Sequence, residues 1–188
     1  MTANEAIRKY VEAYEPKNEQ EVSDRAQMLK FCAGQDDVFT RENDMAHFTA
    51  SAWVVDKNRE KALMIYHNIY DSWAWTGGHA DGDTDLLAVA MREVEEETGV
   101  KAVPVSEDPI SLESLCVLAH IKRGRLVSSH IHMNVTFLLE ADPDAPIRQK
   151  DDENSGVQWV AFDEVCAKCS EPSMRPIYQK LMDRARLI

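Results

Sequence analysis

The sequence predicts an α/β sandwich, and three observations carry that prediction. Runs with strand character recur from His47 to Ala161, a single helix ending in a crowd of glutamates interrupts them within residues 77–100, and a helical segment closes the chain. The elements follow in order. Ile7, Val11 and Tyr14 recur at helical spacing before Pro16, and Val22, Ala26, Leu29 and Ala33 do so before Gly34, so residues 1–35 read as two helices. Residues 36–44 are polar and read as a connection. A strand over 48–55, a turn at Asp56-Lys57-Asn58 and a strand over 62–67 make a hairpin. Trp73-Ala74-Trp75-Thr76 makes a further short strand running into a turn at Gly77-Gly78, where glycine permits φ > 0 or a close approach to a ligand. In the helix that follows, Leu87, Ala90, Met91 and Val94 form the stripe that fastens it to a core. Beyond Gly99, strands are expected at 101–105, 111–122, 129–140 and 157–161, with Arg123-Gly124-Arg125 turning between the two long ones. Helices over 163–168 and 174–185 close the chain.

A chain of 188 residues with 44% hydrophobic content is long enough for one good core with a short accessory segment beside it. The expected division is an N-terminal helical extension, residues 1–44, and a main domain, residues 45–188. The extension has three roles open to it: covering the core, contacting a second subunit in a homodimer, or narrowing access to a substrate. A net charge of −12 argues against a broad surface for a phosphate backbone, so polymeric nucleic acid is not expected as a partner. A small phosphorylated ligand escapes that objection, because a metal and a local basic pocket neutralise it. The start Met1-Thr2-Ala3-Asn4-Glu5 is neither basic nor apolar, and no apolar run approaches about 18 residues, so a cytoplasmic, soluble protein without a membrane partner is expected. Cys32, Cys116, Cys166 and Cys169 are too few and scattered for a disulfide scaffold, and Cys166-Ala167-Lys168-Cys169 reads as two thiols on a short helix.

The glutamates decide the chemistry. At about 100° per residue, Glu93, Glu96 and Glu97 stand at i, i+3 and i+4 on one helical face, while Glu95 points away. Like charges so placed repel by about 0.2–0.5 kcal/mol per pair, and negative charge near a helix C-terminus opposes the macrodipole. A cation reverses that cost. All the donors are oxygens, which favours Mg²⁺ or Mn²⁺ over zinc and suits a site shared with substrate phosphates. Arg92, one turn before Glu96, is placed to pin its carboxylate by an i, i+4 ion pair. Two other motifs fail on position. Asp81-Gly82-Asp83-Thr84-Asp85 imitates a calcium loop, but Leu86 stands where glycine is needed and Arg92 where glutamate is needed, and the glycines lack the Gly-Lys-Ser/Thr ending of a P-loop.

Gly78, then Arg92-Glu93-Val94, Glu96-Glu97 and Gly99-Val100, resemble the Nudix box, with Thr84, between Asp83 and Asp85, standing where the family has a glutamate. The resemblance implies an α/β/α sandwich around a mixed β-sheet over roughly residues 45–188 and a hydrolase acting on a phosphoanhydride in a nucleoside diphosphate linked to another moiety. By the same resemblance Glu93, Glu96 and Glu97 bind metal, Glu93 being the choice for a general base, and Gly78 or Gly77 offers a backbone carbonyl. Family members recruit a further acid from outside the box. Glu153, in Asp151-Asp152-Glu153-Asn154, is the choice, with Glu140 as the alternative. Rate enhancements that start near 10⁶ need at least about 8 kcal/mol, of which a general base gives roughly 3–5, so charge stabilisation by metal supplies the rest.

For the rest of a substrate, Lys122, Arg123 and Arg125 are phosphate-binding residues or merely a charged hairpin turn, and Trp53, Trp73 and Trp75 stack on a base or pack in the core. His120, His130 and His132 lie on predicted strands, where satisfied histidines are commoner than ligands. Two alternatives stand beside the hydrolase. One is a non-catalytic Nudix-like module sensing a nucleotide or sugar phosphate. The other is the isomerase branch acting on isopentenyl diphosphate, for which no cysteine has a convincing context. Subgroup markers for dinucleoside polyphosphates or ADP-ribose are not evident around Leu115.

Overall fold

The structure, a computed structural model, describes residues 2–122 and 124–188. The order is α1 (Ala3–Ala13), α2 (Glu19–Gly34), β1 (Ala46–Val55), β2 (Lys61–His67), β3 (Ser72–Ala74), β4 (Thr76–His79), α3 (Leu86–Thr98), β5 (Val103–Pro104), β6 (Ser111–Val117), β7 (His120–Lys122), β8 (Arg125–Val127), β9 (His130–Glu140), β10 (Asn154–Ala161), α4 (Phe162–Lys168) and α5 (Arg175–Ala185). Two runs of strands, divided by α3 and flanked by helices at both ends, make this a mixed α/β chain. The chain forms two compact units: Met1–Ala50 with Gly78–Val89 and Ser111–Thr136, and Ser51–Gly77 with Ala90–Ile110 and Phe137–Ile188. No helix among the described residues is long and apolar enough to cross a membrane.

In the first unit, Thr2 and Glu5 form a capping box on α1, and Asn18 caps α2 through the Glu21 N–H. Ile7 and Val11 are buried as the helical spacing predicts, but α2 is turned by about one residue from its predicted face. Val22 is exposed, and Glu21, Met28 and Cys32 are buried instead. The reason is polar. Glu21 accepts from Lys17 N at 2.8 Å and from Ser111 Oγ at 2.9 Å, so its carboxylate is satisfied out of water. The same hydroxyl meets Glu113, whose other oxygen accepts from Thr136 Oγ1 at 2.7 Å and Asn134 Nδ2 at 3.2 Å. These residues lie on β6 and β9, antiparallel from Ser111↔Thr136 to Val117↔His130. The predicted long strands break there, because β7 and β8 leave β6 and β9 to form their own ribbon, with Lys122 opposite Arg125. Arg123 lies outside the described residues.

In the second unit, β2 is central, with β10 on one edge and β1 and β3 on the other, all antiparallel. The Asp56 carboxylate fixes the predicted hairpin turn by accepting from the N–H groups of Asn58, Glu60 and Lys61. Of the strand predicted at 101–105, only β5 forms, against the end of β9. Trp53 stacks on Tyr178 of α5 at 5.5 Å between centroids, Trp75 meets the same ring edge-on, and the Trp75 N–H donates to the Tyr178 hydroxyl. Trp53 and Trp75 are therefore core residues, unavailable for stacking on a base, and half-buried Trp73 packs against Tyr66 beneath the Lys168 ammonium. Cys169 is buried, hydrogen-bonded to Ser72 and Glu171, and burial pushes the Cys166 thiol up, which leaves the pair structural.

Candidate active site

Asp85 starts α3 by accepting the Ala88 N–H at 3.0 Å, so this acid beside Thr84 is a helix cap and Thr84 stands exposed just before it. At the other end the Gly99 N–H returns to Glu95 O at 2.9 Å, with φ at +75°, the left-handed stop that glycine alone adopts cheaply. Between them the helix buries Ala90 and Val94 of the predicted stripe, but Leu86 and Val89 in place of Leu87 and Met91, which are only half-buried. This turn of about one residue carries Glu97, three positions past Val94, to the buried side, where it is 3% exposed. Glu93 is half-buried, and Arg92, Glu95 and Glu96 are exposed.

Glu97 accepts from the Gly77 N–H at 3.1 Å. Gly77 and Gly78 are extended residues of β4, both half-buried, and not the predicted turn; the left-handed residues come later, at Asp81 and Gly82. Within the second unit a strand, rather than a turn, therefore presents the amide that holds Glu97.

Past β9 the chain returns to the end of α3. Arg148 N donates to Thr98 O at 2.8 Å and Asn154 Nδ2 to Glu97 O at 3.0 Å, satisfying carbonyls that a helix end leaves without intrahelical partners. Between these anchors lie Lys150 and Glu153. The Lys150 ammonium is 2.9 Å from Glu153 and 3.3 Å from Glu96, so it joins an acid of the loop to one of the helix. Sequence reasoning selected Glu153 but missed Lys150, whose only local signal was its place three residues before that glutamate.

The electrostatics are those of crowded carboxylates. Burial, then the charges of Glu96 and Glu153, raises the pKa of Glu93, while Lys150 and Arg92 act in the opposite sense. Glu97 is raised well above 4.5, chiefly by burial, with Glu93 and Glu153 adding to it and the Gly77 N–H opposing. Burial works against the charge on Lys150, but Glu153 and Glu96 outweigh it and push its pKa up to about 12. Four carboxylates around a single ammonium, with two held partly against ionisation, suit a small hard divalent ion by their all-oxygen chemistry. Glu140, the alternative acid, pairs with Arg59 at 2.6 Å.

The sequence profile of the NUDIX domain matches residues 45–182. The m7GpppN-mRNA hydrolase NUDT17 of Xenopus laevis is 35% identical over 81 residues, which is 43% of this chain and 25% of that one. The uncharacterized Nudix hydrolase YfcD of Shigella flexneri is 30% identical over 99 residues, 52% of this chain and 47% of that protein. The chain thus spans half or less of the length of these two curated relatives. A NUDIX-family hydrolase from Clostridium perfringens has a crystal structure similar at a TM-score of 0.54 with 15% identity, covering 73% of this chain and 96% of the other, a likeness of fold.

Proposed function

The chain belongs to the NUDIX family, and from that premise we propose that it is a divalent-metal-dependent hydrolase of a phosphoanhydride bond in a nucleoside diphosphate linked to another moiety. The observation that carries the reading is the gathering of Glu93, Glu96, Glu97 and Glu153 around Lys150. We assign the hydrolase to residues 45–188 and an accessory helical role to residues 1–44.

In this reading Glu96, Glu97 and Glu153 would hold Mg²⁺, or Mn²⁺ in its place, and Gly77, the alternative to Gly78, would add a backbone carbonyl. Such an ion neutralises phosphate oxygens and makes a neighbouring water more acidic. Glu93 takes the proton from the attacking water, and its raised pKa brings it closer to the working pH, as a general base requires. Arg92 is a positioning residue whose charge favours ionised Glu93. Glu97, fixed by the Gly77 amide, keeps the helix end and β4 in register. The name of the Xenopus relative, a hydrolase of m7GpppN-mRNA, supports a nucleotide-derived substrate containing a phosphoanhydride. The substrate expected here is small, since the net charge of −12 disfavours a long phosphate backbone.

A screen of nucleoside triphosphates, nucleotide sugars, ADP-ribose and dinucleotide cofactors, with and without Mg²⁺, tests this. At least one should be cleaved only with the metal, and Glu97→Gln should lower that turnover by at least about 100-fold while the thermal transition persists. Binding without cleavage across the screen, or undiminished turnover by the variant, removes the assignment.

A further inference from the structure

Outside the glutamate group, and wholly within the first unit, four histidines from three strands meet. One ring nitrogen from each of His47, His79, His130 and His132 lies within 4.8 Å of all the others. The His47 ring is 5.1 Å, centroid to centroid, from each of the other three, and His132 is 4.9 Å from both His79 and His130. His47 lies at the start of β1, His79 at the end of β4, and His130 and His132 on the same face of β9. Antiparallel or crossed ring stacking would bury these groups without demanding that their nitrogens converge. Here the nitrogens do converge.

The hydrogen bonds orient the rings. His47 Nδ1 is 3.0 Å from the Asn43 carbonyl and His130 Nδ1 is 2.8 Å from the Ser128 carbonyl. A carbonyl oxygen only accepts, so both Nδ1 atoms carry the proton and, in the neutral ring, both Nε2 atoms carry the lone pair. His47 is 3% exposed, and its Nε2 has no hydrogen-bond partner among the described residues. A buried lone pair left that way is costly unless something electropositive meets it. His130 Nε2 and His132 Nε2 are 3.1 Å apart, near the edge of a tetrahedron built on bonds of about 2.0 Å, which is about 3.3 Å. An Nδ1–H held by a carbonyl while Nε2 faces inward is the support that metal-ligating histidines commonly have.

We infer that His47, His79, His130 and His132 form a binding site for one borderline divalent transition-metal ion, of which Zn²⁺ is the type. The donor set selects the metal. Imidazole nitrogens without a carboxylate suit zinc, cobalt, nickel or copper and disfavour Mg²⁺, which the oxygen-only glutamate group suits. The chain therefore has donor sets for two different classes of metal. His79 and His132 are only half-buried, so water or a ligand atom has access to a further coordination position.

The test uses the full chain, stripped with a chelator and then given Co²⁺ alone or Co²⁺ with excess Mg²⁺ to occupy the carboxylates. One Co²⁺ per chain should survive the Mg²⁺ and show a visible d–d band. His130→Gln with His132→Gln should abolish the band or weaken binding at least tenfold, whereas Glu93→Gln with Glu96→Gln should leave it. Absorption spectroscopy at the zinc edge on the unaltered chain gives a second reading that does not depend on a variant folding. Multiple scattering from imidazole rings is expected. No retained Co²⁺, retention that follows the glutamates and ignores the histidines, or an all-oxygen shell at the zinc edge overturns the site. None of these results bears on Mg²⁺-dependent hydrolysis, which the screen tests separately.

Discussion

Lys150→Met removes the cation that pairs with both Glu96 and Glu153, and its two effects should have opposite signs. The side chains are partly exposed, 29% for Lys150 against 48% for Glu96 and 35% for Glu153, so each pair contributes only about 0.2–1 kcal/mol after solvent screening. Both pairs share one ammonium, which caps the loss at about 1 kcal/mol, or a melting temperature lower by about 2–4 °C without divalent ions for a chain of this length. If Mg²⁺ takes over the role of that ammonium, the same 1 kcal/mol has been competing with it, and the variant should bind Mg²⁺ about fivefold more tightly. Lys150 also favours ionisation of Glu93 and Glu97, so both proteins are compared across the same pH series rather than at a single pH. Calorimetric unfolding in chelator and isothermal titration with Mg²⁺ measure the two halves. Weaker Mg²⁺ binding in the variant, with an unchanged melting temperature, would refute the view of Lys150 as the counter-charge of the group.

Glu97 and Glu93 have raised pKa values, so the folded state holds their protons more tightly than the unfolded chain does. The stability they contribute is fully present below about 4.5 and is lost as pH rises through the raised values. A melting series from pH 4 upward in chelator should show a steeper decline for the native chain than for Glu97→Gln, and Mg²⁺ should offset it; parallel curves would contradict the assignment. Gly99→Ala places a Cβ 2.7 Å from the Arg148 side chain at φ +75°, and should cost about 1–2 kcal/mol in denaturant unfolding. Ser111→Ala takes a shared donor from the buried carboxylates of Glu21 and Glu113 and should cost about 1–3 kcal/mol by the same measurement.

The glutamate triad was legible because it is local: i, i+3 and i+4 on a helix is a geometric statement about neighbours in sequence. The helix's own facing was less so. Leu87 and Met91 are as apolar as Leu86 and Val89, and hydrophobicity does not say which of two adjacent rows meets the core. For α2 the pattern misled outright, since Val22 is exposed and Glu21 buried, and the hydroxyl that reconciles a carboxylate to burial comes from 90 residues away. Lys150 escaped notice for the same reason, its partner Glu96 being 54 residues distant. The histidine cluster draws on positions 47, 79, 130 and 132, and only the pair on β9 shared a face that sequence alone could reveal.

The loop that carries Lys150 and Glu153 is moored to α3 at Arg148 and Asn154, and both moorings end on main-chain carbonyls of the helix. Their strength is therefore indifferent to which side chains the helix displays. A change of length in the stretch ahead of Arg148 would leave both anchors, and the acid between them, in place. Between Arg148 and Asn154 there is no such slack, and an insertion or deletion there would carry Lys150 and Glu153 away from the helix end.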